Sequence, residues 1–357
     1  PHIQRAMFRF NENNPQIQQL VREDLLRAIE LDGTSIRPRE MMAQWYLRRG
    51  ETDSAIEELR RLIVARPGYA PARARLADLY LSQGNRMPEL EAMLNESEKL
   101  MPDVPAWHQY RSRMYQAQRR FAEAEKELAK AYELDSSLGR LGEYAGLLVR
   151  RNKFDRALEV LADQPTEVNE DPTLLAVKAR SLYGLKRPDE ALAAFNKALD
   201  LAGDNIAAVN SVIAQIQPVM DPDQQLELLL PRASSDATGT IGLTVARLKL
   251  QYDRLDEAIR DLEALAGRFE PKSPLETERQ RLLARGYYVK KQWVEARKAY
   301  ERVLEGQPND LMALNNLAYL LADDLNEPAA ALPLAQRAVD VVGGNSEQRA
   351  NVLDTLG

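Results

Sequence analysis

No cysteine occurs anywhere in the 357 residues. Its absence excludes disulfides, thiol nucleophiles and cysteine-ligated zinc. It fits an oxidising cell envelope and a cytosol equally well, so it decides no compartment. Histidine is nearly as scarce. His2 stands at the start of the chain, and His108 lies beside Trp107 on a predicted helix, where a structural role is expected. Catalysis needs a nucleophile, a base or a bound metal, and the usual carriers are missing. There is no phosphate-binding Walker loop and no calcium-loop pattern. The glycines of "GRLGEYAG" (139–146) follow a helix rather than a strand, so no dinucleotide site is expected. Carboxylate pairs such as Glu57-Glu58 and Asp323-Asp324 read as solvated helix faces. The expectation is a non-enzymatic protein without cofactor or metal.

An excess of positive charge is also lacking. Lys and Arg number 48 against 54 Asp and Glu, a net charge of −6, which argues against nucleic acid as the partner. There is no long apolar run. "LMALNNLAYLLA" (311–322) is too short to span a bilayer and carries Asn315 and Asn316, so no membrane insertion is expected. No signal peptide is visible. The chain opens on "PHIQRAMFRF" and stops in "NVLDTLG", the latter like a helix cut midway, so an excised segment is expected. Its length exceeds one ordinary compact core, which leaves several domains or one elongated array.

What the sequence does contain is periodicity. "KRPDEALAAFNKALDLAGDN" (186–205) reads as one amphipathic helix, with Ala191, Phe195 and Ala198 on one face. Pro188 stands near its start and Gly203 just past its end. Two alanines on a buried stripe mean that another backbone comes very close. The same phase recurs at Ala55, Ala124, Ala157, Ala258, Ala296 and Ala331, with Glu89 and Gln225 in two poorer copies. The successive spacings are 34, 35, 33, 34, 34, 33, 38 and 35 residues. A period of about 34 is that of a helix–turn–helix array.

Twelve residues before most of these positions, and thirteen before Ala331, stands a second small residue: Ala43, Ala77, Ser112, Ala145, Ala179, Ala246, Ala284 and Ala318. Three residues after it comes a larger one, such as Tyr46, Tyr80, Tyr115, Leu148 or Tyr287. Each unit is therefore a helix A, a short polar turn and an antiparallel helix B, with small residues facing across the pair. One such unit cannot bury its own apolar face; stacking does.

These residues resemble the tetratricopeptide repeat family. The 277–310 unit carries Leu283, Ala284, Tyr287, Ala296, Tyr300 and Pro308 at the family's signature positions. Nine units begin near 36, 70, 105, 138, 172, 206, 239, 277 and 311, after a partial one at 14–33. The resemblance implies an all-α, right-handed superhelical solenoid of antiparallel helix pairs. The expected organisation is a partial repeat over 1–35, an array over 36–230, an irregular joint at 231–242, a second array over 243–349 and a truncated repeat from 350 to 357, where Leu356-Gly357 fits. Two departures are candidate bends: "PRASSDATGTIG" (231–242), in a unit where Ile213 and Gln225 replace small residues, and the shortened second helix before "DQPTEVNEDP" (163–172). The low apolar content of 231–242 predicts flexibility there.

The resemblance also implies a function, partner binding on the inner face lined by helix A. The positions that line it hold eight basic residues (Arg37, Arg48, Arg113, Arg150, Arg180, Arg247, Arg281 and Arg285) against four acidic ones (Glu40, Asp78, Glu278 and Asp323), with Tyr183, Tyr288 and Tyr319 interleaved. Asn316 joins them as a hydrogen-bonding group. The expected partner is another protein presenting an acidic peptide segment or helix. One subfamily grips a chaperone's C-terminal carboxylate. Arg281, Arg285 and Asn316 imitate two of its three helices, but the third offers Asn351 and Thr355 where Lys and Arg are needed, so that clamp is not expected. The stretch "ALNNLAYLLADDLNEPAAALPLAQRAVDVVGGN" resembles bacterial repeat proteins of envelope and exopolysaccharide-export systems, which favours the cell envelope or periplasm over the cytoplasm. Two other expectations stand beside this one: an accessory arm of a larger glycosyltransferase or secretion component, and a scaffold that self-associates through its repeat ends.

Overall fold

The computed structural model describes residues 2–12 and 14–342; the truncated repeat expected at 350–357, with Asn351 and Thr355, lies outside the described residues. The described residues form 21 α-helices and one π-helical turn, with no strand among them. The chain divides into two compact units between Val160 and Leu161, at the shortened second helix of the 138 repeat. The first unit holds α1 (His2–Arg9), α2 (Pro15–Leu31), α3 (Ile36–Arg48), α4 (Thr52–Ala65), α5 (Ala70–Gln83), α6 (Met87–Leu100), α7 (Pro105–Ala117), α8 (Phe121–Leu134), α9 (Leu138–Arg150) and nearly all of α10 (Phe154–Leu161). The second holds α11 (Pro165–Glu170), α12 (Pro172–Gly184), α13 (Pro188–Ala202), α14 (Ile206–Ile216), α15 (Pro222–Ala233), α16 (Thr240–Gln251), α17 (Leu255–Ala264), α18 (Pro274–Val289), α19 (Trp293–Gly306), α20 (Leu311–Tyr319), the π turn Leu320–Asp324 and α21 (Pro328–Val342).

The two helices of a repeat start in different ways. Several A helices are capped by side chains. Asp171 accepts from the Leu174 amide at 2.8 Å, Asn205 from Ala208 at 3.1 Å, Ser273 from Glu276 at 3.2 Å and Asp310 from Ala313 at 2.8 Å. Each satisfies an amide that the helix leaves without an intrahelical partner. Most B helices have no such cap. They begin instead on the end of helix A. A left-handed residue follows helix A, and the next amide donates back across five residues: Glu51 to Tyr46, Arg120 to Tyr115, Lys153 to Leu148, Arg187 to Leu182, Arg254 to Lys249 and Gln292 to Tyr287, all within 2.8–3.0 Å. The left-handed residue is Gly50 in the first of these and Arg119, Asn152, Lys186, Asp253 and Lys291 in the others. This is the Schellman geometry of a helix C-terminus, and its last residue doubles as the cap of helix B.

The corner sets the register of the pair. The small residues of the A helices, from Ala43 to Ala318, are all fully buried, as are Ala55, Ala124, Ala157, Ala191, Ala258 and Ala296 opposite them. Two connections lack the corner, and they are the two that depart from the alanine pattern. In α5–α6, Gly84 is left-handed but bonds back to Tyr80, and α5 runs one residue further past its small residue than α3 does. Glu89 is consequently exposed and Leu90 is fully buried, which corrects the phase expected at that repeat. In α14–α15 the chain passes through 217–221 without a left-handed residue. There Ile213 and Gln225 are both buried, and Gln225 Nε2 donates to the Met220 carbonyl at 2.7 Å.

Each unit has its own core. In the first, Leu59, Leu62, Leu76, Trp107 and Met114 pack between repeats. In the second, one cluster gathers around Phe195, Ile216 and Leu229 and another around Leu262, Leu283, Tyr300 and Leu317. Lys249, where other repeats carry Tyr or Leu, is buried with its ammonium 2.6 Å from Asp261. The irregular stretch in 231–242 is confined to 234–239, because Pro231 lies inside α15 and Thr240–Gly242 open α16. Nor is it poor in contacts. Asp236 is buried and accepts from the Thr238 hydroxyl at 2.6 Å and the Ile241 amide at 2.6 Å, and a Cβ on Gly239 would stand 2.6 Å from the Phe269 ring. The flexibility expected there rested on few apolar contacts, and the packing is otherwise.

Candidate interaction surface

Helix A of each repeat carries the candidate binding residues, and the turn between helices fixes which way they face. Arg113 belongs to α7 in the first unit. Its guanidinium is 2.9 Å from Asp78 of the preceding A helix and stands over the Tyr110 ring at 5.4 Å. Tyr110 donates to the same Asp78 at 3.0 Å. Burial and that carboxylate push the Tyr110 pKa up to about 12.

The other eight lie in the second unit. Arg180 and Tyr183 on α12 reach Gln215 at 3.2 Å and Gln224 at 3.1 Å. Arg247 on α16 reaches Glu278 at 3.4 Å. On α18, Arg281, Arg285 and Tyr288 fall at i, i+4 and i+7, one face of the helix. Arg281 bonds Glu278 on its own helix and Asp310 at 2.6 Å from the next repeat. Burial works to lower the Arg281 pKa, and the bonds to Asp310 and Glu278 raise it by more. Arg285 is exposed.

Burial raises the Tyr300 pKa, and Asn316 and the nearby Arg285 oppose that rise. Asn316 on α20 donates to the buried Tyr300 hydroxyl at 3.4 Å. Tyr288 is half-buried against Trp293, with 5.3 Å between ring centroids. Its pKa is pushed up to about 12 by burial and by the Asp324 carboxylate. Tyr319 is exposed, and its bond to Asp323 raises its pKa. The π turn that follows α20 carries both aspartates, so the helix widens where it meets Tyr288. π turns of this kind are often found at functional sites.

The arrangement differs from a plain basic groove. Arg113, Arg247 and Arg281 already hold carboxylates of adjoining repeats, which leaves Arg285 as the exposed guanidinium of the α18 face. Sequence reasoning found the arginines and Tyr183 but not Asp310 and Gln215 as partners of Arg281 and Arg180, nor Gln224 as the partner of Tyr183. The signal was present: Arg113–Asp78 and Arg180–Gln215 are 35 residues apart, one repeat. His108, expected to be structural, is buried with Nδ1 2.7 Å from Glu127 Oε2. Burial opposes ionisation of Glu127, but the bond to His108 and the nearby Arg111 outweigh it and lower its pKa. Among the described residues no group of three or more His, Cys, Asp or Glu is placed to hold a metal ion, and no helix is long and apolar enough to cross a membrane.

The fold and its repeating small residues define a helical-repeat protein of the kind that displays a binding face. A profile of the tetratricopeptide repeat family matches residues 40–89, 145–206 and 281–346. The chain belongs to the tetratricopeptide repeat family, and it is in general terms a protein-interaction scaffold. Among solved structures it is similar to Pseudomonas aeruginosa PilF, at 17% identity over 60% of this chain and 96% of that one, with a TM-score of 0.42. It is also similar to the C-terminal part of a repeat-containing protein from Cytophaga hutchinsonii, at 15% identity over 77% and 98% with a TM-score of 0.40. A third is a thermophilic repeat protein from Thermus thermophilus, at 16% identity over 60% and 98% with a TM-score of 0.34. Comparison with curated proteins returns no match.

Proposed function

We propose that this chain is a non-catalytic scaffold that holds a segment of another protein on the helix-A face of its second unit, centred on Arg285. The observation that carries this reading is the contrast between Arg281, engaged by two carboxylates, and Arg285 one turn on, which is exposed. A partner carboxylate meets Arg285 without displacing an internal pair, whereas at Arg247 or Arg281 it must compete with Glu278 or Asp310. Asn316 adds an amide to this face, while the Tyr288 and Tyr319 hydroxyls are held by Asp324 and Asp323 and their rings add apolar contact area. The partner is therefore an acidic segment, extended or helical, that pairs with arginine through charge-assisted bonds. The resemblance of the last repeats to those of envelope and exopolysaccharide-export proteins supports a place in the bacterial envelope, which fractionation of the source cell tests.

The test is capture of the native partner from source-cell extract, read by quantitative mass spectrometry. Arg285→Glu is expected to lose the partner with helix content unchanged, and Arg281→Gln to lose less. Capture by the unmodified chain should weaken with added salt, since exposed charges are screened over about 8 Å at physiological ionic strength. Full capture by Arg285→Glu overturns the reading.

A further inference from the structure

The helix-B side of the second unit holds a cavity of about 320 Å³ between α13 and α15. It sits where the repeat pattern fails. With Ile213 and Gln225 in place of small residues, α14 and α15 do not form the tight hairpin seen in α12–α13, and the 217–221 connection carries Met220 into the cavity wall. Leu192, Met220, Leu228, Pro188 and Pro231 give it an apolar lining.

Its charges without an internal ion pair are of one sign. Asp189 and Glu227 line the cavity, and both are exposed. Neither has an ion-pair partner among the described residues, unlike Glu190, which Arg187 holds at 2.6 Å. The cation of the wall, Arg232, is already committed. It bonds Asp200 at 2.8 Å and the Leu228 carbonyl at 3.2 Å. Pro231 has no amide hydrogen, so the Glu227 carbonyl lacks the donor that a regular helix would supply four residues on. Tyr183 and Gln224 close one end by bonding each other at 3.1 Å.

We infer that this cavity takes the side chain of an arginine or lysine from a partner protein, with its methylenes against Leu192, Met220 and Leu228 and its cationic head between Asp189 and Glu227. Charge complementarity fixes the occupant. A carboxylate or phosphate would meet two unpaired carboxylates, and a purely aliphatic side chain would bury them without compensation. An amphipathic side chain buries its stem and leaves its head at the wet rim. The scaffold then reads opposite charges on its two sides, acidic along the A helices and basic between these B helices. The cavity does not depend on Arg285, so either assignment can fail alone.

The test uses the full chain with methyl-labelled Leu and Met, titrated with four probes: N-acetyl-arginine amide, N-acetyl-lysine amide, N-acetyl-citrulline amide and N-acetyl-glutamate amide. The arginine or the lysine probe should shift the Met220, Leu192 and Leu228 methyl signals in a saturable way. Citrulline, which keeps the shape and loses the charge, should bind at least about tenfold more weakly, as should the arginine probe to the Asp189→Asn, Glu227→Gln double variant. Equal binding of citrulline, unchanged binding by the double variant, stronger shifts with the glutamate probe, or no saturable shift at these methyls would each overturn the assignment. Methyl spectra of the double variant that match the unmodified chain away from the cavity verify that it is folded.

Discussion

The repeats α12–α13 and α14–α15 follow one another in the second unit and are built on opposite terms. In the first, Ala179 and Ala191 are fully buried against each other's helices, and Lys186 turns the corner in the left-handed region. In the second, Ile213 and Gln225 hold the corresponding places and a five-residue connection replaces the corner. The first buries only small apolar groups between its backbones. The second buries a branched side chain and an amide, and a cavity opens beside it. A repeat is thus closed by its small residues and its corner together; when both are absent, the polar group that fills the gap must find a carbonyl, and Gln225 finds that of Met220.

The sharpest way to break this comparison is to restore the common residue where it is missing. Ile213→Ala should cost roughly 2–5 kcal/mol, because the helices cannot close on the void. Urea unfolding measures it, and a neutral result would mean that α14 and α15 can approach like the other pairs. The reverse exchange is next in size. Ala191→Leu forces bulk between α12 and α13 and should cost roughly 1–3 kcal/mol, read as a lower melting temperature. Were it to melt like the unmodified chain, the close contact assigned to Ala191 would be wrong.

Smaller effects sharpen the picture. Gln225→Leu keeps the volume but removes the donor to Met220, so it should destabilise by about 1–2 kcal/mol. A stabilised variant would mean that water replaces the amide. The smallest difference lies at the helix starts. Asp221 and Gln224 form a reciprocal cap on α15, with bonds of 2.9 and 3.1 Å, whereas Arg187 gives α13 no side-chain cap. Asp221→Ala should therefore cost about 1 kcal/mol and Arg187→Ala much less. Equal losses in the two melts would show that the corner does not substitute for a cap.

Much of this architecture was legible in the sequence because close helix contacts leave alanine behind. Ala55, Ala124, Ala157, Ala191, Ala258 and Ala296 mark their own burial. Glu89 misled because period counting cannot see that α5 runs one residue longer than α3. The binding face was half legible. Its arginines share a repeat position, but whether a guanidinium is spent or available depends on residues one repeat away, as Arg281 and Asp310 show. The repeat position alone says nothing of that. The cavity was announced only by the places where the pattern failed, Ile213 and Gln225, since an irregular hairpin leaves no motif of its own.

The left-handed corner has a consequence for how such a chain is lengthened or recombined. It recurs at Gly50, Arg119, Asn152, Lys186, Asp253 and Lys291, and at Asn326 in a form widened by the π turn, where the Glu327 amide reaches back six residues to Leu321; only the first is a glycine. The geometry is therefore imposed by the hairpin as a whole and not by a permissive residue. Each such corner is an equivalent joint between a helix A and its helix B, so the residues of one can stand in for those of another. The 206–233 hairpin lacks the fitting and belongs where it stands. Gene duplication and laboratory shuffling alike have interchangeable parts wherever the corner recurs, and custom parts at α5–α6 and α14–α15.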